Sequence, residues 1–99
     1  MSVLMVQSKI KAERVADVQA AVKKMIVGLD AAQPEGTRYA SLLLPDGETF
    51  VALLQVDDGV ANPLPDLPEY VELLKIVEGS RAEPAIVQHS TVTGSYRLF

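Results

Sequence analysis

His89 is the one side chain of this 99-residue sequence that ordinarily titrates near neutrality. It is the leading candidate for a general base, a group that strips a proton from an acidic substrate and leaves an electron-rich anion. Asn62 and Tyr70 could supply the hydrogen bonds such an anion needs. Tyr39 and Arg81 are candidates for holding the substrate. Each residue also has a plainer reading. His89 fits a polar position on an edge strand, and Asn62 fits a turn before Pro63. Tyr70 falls on a helical stripe, where it would pack in the core with its hydroxyl partnered. Arg81 beside Glu83 reads as a solvated charge, and Tyr39 reads as a packed strand residue. Asp57-Asp58 looks like a metal-binding pair, but adjacent strand residues point to opposite faces, so an acidic strand end is expected. The sequence has no Gly-rich phosphate loop, nucleophile elbow or HExxH. It has no cysteine, which removes thiolate metal sites and disulfides.

The elements that must position these groups follow from hydrophobic periodicity. Residues 2–10, "SVLMVQSKI", are apolar on both faces and read as a buried strand. Over residues 11–32 the period changes: Val15, Val18, Val22, Met25, Ile26 and Leu29 form one helical stripe. Pro34 and Gly36 stop that helix. Residues 37–44 and 48–57 are strands joined by the turn Pro45-Asp46-Gly47. Three prolines within six residues, Pro63, Pro65 and Pro68, predict a stiff loop with Pro68 in the first turn of a helix. A polyproline ligand is the sharper alternative, but no basic residues flank the segment. The second helix is expected over residues 68–78, burying Tyr70, Val71, Leu74 and Val77, with Gly79 at its end. The last strand is expected over residues 85–98, with a bulge or bend at Gly94.

The order β-α-β-β-α-β is the ferredoxin-like split βαβ pattern, an α+β fold with strand order 4-1-3-2 and one domain over residues 1–99. The hydrophobic fraction of 48 % is that of a globular chain. The net charge of −4 and the lack of any Lys/Arg cluster argue against nucleic acid or an anionic membrane as partner. The start "MSVLMVQSKIK" places apolar residues before its lysines, the reverse of a signal peptide, so a mature cytoplasmic chain is expected.

Two helices cover one face of such a sheet. The other face spans about 19 Å by 20 Å, roughly 400 Å², from the ordinary strand spacing and rise. Monomers seldom leave a larger apolar patch exposed. Val51 and Leu53 oppose the apolar residues of the first strand on it. A two-fold homodimer packed sheet to sheet is therefore expected, with the "YRLF" end reaching across to seal it.

The segments "PEGTRYASLLLPDGETFVALLQVDD" and "LPEYVELLKIVEG", with the first strand and helix, resemble the dimeric α+β barrel superfamily and its antibiotic biosynthesis monooxygenase-like domains. The likeness spans roughly residues 2–80. It implies cofactor-independent oxygenation of an aromatic or quinol-like molecule in an apolar cavity between helices and sheet, with no metal. A non-enzymatic dimer that binds a small apolar ligand or a protein is the alternative. Relatives that degrade haem use Asn, Trp and His; this chain has no Trp, and His89 lies in the last strand. Leu54 and Val56 stand where many members carry an acidic and an aromatic residue. Haem degradation is not expected.

Overall fold

The computed structural model describes residues 2–98. Four strands, β1 (Ser2–Lys9), β2 (Thr37–Leu43), β3 (Thr49–Val56) and β4 (Ile86–Thr91), form one antiparallel sheet. Its order is β2-β3-β1-β4, the expected ferredoxin-like arrangement with the two most apolar strands in the middle. Helices α1 (Val15–Ala32) and α2 (Pro68–Glu78) pack on each other and on one face. A short 3-10 turn, Ala12–Arg14, leads into α1, and a second, Leu64–Asp66, precedes α2.

Local chemistry sets the element ends. The β2–β3 turn is closed by the Gly47 N–H donating to the Leu44 carbonyl. The Asp46 carboxylate accepts from the N–H groups of Glu48 and Thr49 and from the Thr49 hydroxyl. Gly47 sits at φ 73°, a left-handed conformation that favours glycine. Pro68 starts α2, where its missing N–H costs no helical bond.

The core lies between helices and sheet. One cluster joins Ile10, Val18 and Phe50; a second joins Ala21, Met25 and Leu73. The buried line of α1 is Val18, Ala21, Met25 and Gly28, one position off the expected stripe for part of its length; Val22, Ile26 and Leu29 flank it half-buried. Gly28 lets α2 come close, since a Cβ there would lie 2.9 Å from the Glu69 carboxyl group. In α2 the expected stripe is rotated: Leu73 is buried, while Val71 and Leu74 are exposed.

The last strand is shorter than expected. β4 stops at Thr91, which pairs with Ser2 at the end of the β1 ladder. Residues 92–98 therefore have no β1 partner, and Gly94 lies outside the sheet. This segment borders a groove over Val3 and Leu53, on the face away from the helices. The last residue of the "YRLF" end, Phe99, falls outside the described residues.

Candidate functional site

The register assigns every strand residue to a face. Leu4, Val6, Ser8 and Ile10 face the helices, with Phe50, Ala52 and Leu54 of β3 and Tyr39 and Ser41 of β2 beside them. Helix residues Val18, Val22, Tyr70, Leu73 and Val77 close the space from above. Between the layers lies a cavity of about 110 Å³ with overwhelmingly apolar walls. Alternation along β1 carries Ser8 into this wall, and alternation along β2 carries Ser41; neither is marked out by residue type.

Three expected site residues, Tyr39, Tyr70 and Arg81, line the cavity. They do not sit together. Tyr39 pairs with Leu54, which pairs with Leu4, so it marks one end of β1. Arg81 pairs with Ile10 at the other end. Six residues of strand separate the two backbone positions, about 20 Å at ordinary rise. Tyr70 enters from the first turns of α2. An ionised Tyr70 would oppose ionisation of Tyr39, so the two phenols share one end.

Both phenols are held in the protonated form. Burial pushes the Tyr39 hydroxyl up to about 12, with the proximity of Tyr70 adding to the shift. Burial also raises Tyr70. Near neutrality both are hydrogen-bond donors and neither is a base.

The Arg81 end has a different character. The Arg81 Nε lies buried without a hydrogen-bond partner. The backbone around it is pinned, because Lys11 N–H donates to the Ser80 carbonyl and Ala82 N–H to the Lys9 carbonyl, both at 2.9 Å. The sequence reads Arg81 as a solvated charge beside Glu83; the residue is half-buried, and no ion pair links the two.

His89 and Asn62 lie elsewhere. His89 pairs with Leu4 and so faces the helix side, but the helices stop short of β4 and leave it exposed, one strand outside the lining. Asn62 is exposed, and its Oδ1 accepts from Leu64 N–H at 3.0 Å, tying down the turn before α2. Asp57 takes its charge partner across the hairpin, Arg38, at 3.5 Å.

No family model and no curated protein matches the sequence. Solved structures do match the fold. An antibiotic biosynthesis monooxygenase candidate from Nitrosomonas europaea superposes with a TM-score of 0.77 at 18 % identity, covering 95 % of this chain and 100 % of its own. Rv0793 from Mycobacterium tuberculosis gives 0.73 at 15 % identity, with 95 % and 96 % covered. A dimeric ferredoxin-like protein from Jannaschia sp. CCS1 gives 0.56 at 8 % identity, with 93 % and 100 % covered. The resemblance carried by the sequence thus holds at the level of fold: this chain has the ferredoxin-like architecture of the antibiotic biosynthesis monooxygenase-type structures.

Proposed function

We propose that the cavity between helices and sheet binds a small aromatic, quinol-like molecule and that the protein oxygenates it without a cofactor. The observation that carries the reading is the half-open apolar cavity with two protonated phenols at one end. Such a site excludes water around a carbon-centred anion and offers donors to reduced oxygen. The substrate would supply both electrons. Its ring carbanion joins O2 as a hydroperoxide, which loses water to leave a carbonyl: hydroquinone plus O2 gives hydroxyquinone plus H2O. In this scheme the ring proton passes to solvent, Tyr70 donates to the peroxide, Tyr39 lines the ring at the same end and Arg81 lines the other end; His89 and Asn62, expected as base and donor, take part only where a substrate extends beyond the lining.

A second reading, a non-enzymatic ligand-binding module, is favoured by one observation: His89 and Asn62 both stand outside the lining. Oxygen uptake with a panel of quinols separates the two. Turnover that falls at least tenfold in His89→Ala or Tyr70→Phe supports the oxygenase. Turnover at the parent rate in both variants contradicts the residue assignment. Binding without oxygen uptake supports the module.

We also propose that the sheet face away from the helices packs against a second copy. Leu42 and Ile86 are 49 % and 53 % exposed on it, at opposite edges, in one row with Val51 and Gln7 between them and with Met5 and Leu53 in the next row. The dimeric description of the Jannaschia protein supports this reading. No helix is long and apolar enough to cross a membrane.

A further inference from the structure

We propose that the ligand of this cavity is a small monoanion: one six-membered ring bearing a single oxyanion, a carboxylate or an ionised phenol, whose charge is met by Arg81. This rests on the reading of the cavity as a ligand site and goes beyond it by fixing the charge and size of the occupant.

Two observations carry the charge. Arg81 lines a cavity whose other walls are almost wholly apolar, and its Nε, closed off from solvent, has no hydrogen-bond acceptor. Arg14, Lys24 and Arg38 each have a carboxylate within 4.0 Å, whereas Arg81 has none among the described residues. A guanidinium does not escape such a site by losing its proton. Leaving a charged donor unmet in an apolar wall is costly, and a bound oxyanion removes that cost. The backbone bridge from Arg81 to Ile10 holds the group in place before any ligand arrives.

The size comes from the cavity. At about 110 Å³ it is smaller than the cavity of about 150 Å³ known to accept benzene, so a single ring fits with part of it in the open mouth and a second ring has no room inside. A carboxylate offers a guanidinium two oxygens and so a two-point bond, where a phenolate offers one. Carboxylates should therefore bind more tightly than phenolates.

Calorimetric titration of the full chain with benzoate, 4-nitrophenolate, benzyl alcohol and benzene tests the proposal. Benzoate should bind at least tenfold more tightly than benzyl alcohol, with 4-nitrophenolate between them. In Arg81→Met the benzoate preference should shrink below twofold, while Arg81→Lys keeps the charge preference but loses the advantage of benzoate over 4-nitrophenolate. The comparison of ligands on the unaltered chain decides the question even if a variant misfolds. Equal binding of benzoate and benzyl alcohol, or a preference that survives Arg81→Met, overturns the anion. Benzene binding in that case leaves the cavity standing as a ligand site. Silence from all four probes removes both readings.

Discussion

The two faces of the sheet are built from the same strands and are comparably apolar, yet they are finished differently. On the helix side, Leu4, Val6, Phe50 and Leu54 meet α1 and α2 and enclose a cavity with phenols at one end and a guanidinium at the other. On the other side, Met5, Val51, Leu53 and Leu42 carry no second layer, only the groove under residues 90–98. Two of its polar residues, Arg38 and Gln55, hydrogen-bond to each other at 3.3 Å. Apolar content alone therefore does not distinguish a ligand site from an interface. What distinguishes them is whether polar groups are left without partners: the helix side leaves the Arg81 Nε unmet, and the open side satisfies Arg38 with Gln55 and Asp57.

The largest effects should come from the helix side. Met25, fully buried against Leu73 and Ala21, should lose about 3 kcal/mol of stability on substitution by Ala, measured by urea denaturation. Leu42→Ala on the open face should cost below about 1 kcal/mol in a dilute, monomeric sample. Equal costs at the two positions would erase the distinction.

The open face is broken by charge instead. Leu42→Asp combined with Ile86→Asp should leave far-UV circular dichroism unchanged and reduce the light-scattering mass from about twice to once the chain mass of 10.7 kDa. A parent protein that already scatters as one chain would remove the proposed interface.

The alkaline limb reports on the phenol end. The folded-state value of Tyr39 lies above its ordinary one, so between about 10 and about 12 the unfolded chain has lost a proton that the folded chain retains. This contribution is full below about pH 10 and is lost as pH rises toward about 12, by up to about 3 kcal/mol. Tyr39→Phe should flatten that limb relative to the parent. Parallel curves would place the phenol in water.

The smallest effect is also the most selective. Ala52→Val puts two methyl groups into the cavity and should raise stability by about 0.5 kcal/mol while weakening ligand binding severalfold. Loss of stability would mean that the wall at Ala52 has no room.

The fold was legible because the period of apolar residues changes cleanly from strand to helix along the chain, and because β1 and β3 are apolar on both faces. Finer placement was not. In α2, the adjacent Leu73 and Leu74 satisfy helical spacing equally well, so periodicity could not choose the phase; packing against Met25 does. Residues 92–98 alternate like a strand, but the β1 ladder closes at Ser2 and Thr91, a limit set by the partner strand. At the site, residue type pointed to Tyr39, Tyr70 and Arg81, which line the cavity, and to His89 and Asn62, which do not. Strand alternation alone could have added Ser8 and Ser41. The buried Arg81 Nε has no local signal, since it results from the bridge between the end of α2 and the end of β1.

Methyl-resolved NMR of the full chain titrated with phenol tests the central claim, that the helix-side cavity is the ligand site. Shifts should concentrate at Leu54, Leu64, Leu73 and Val77 and spare Leu42, Leu53 and Ile86. Shifts centred on Leu53 and Ile86, or none at any of these residues, would contradict it.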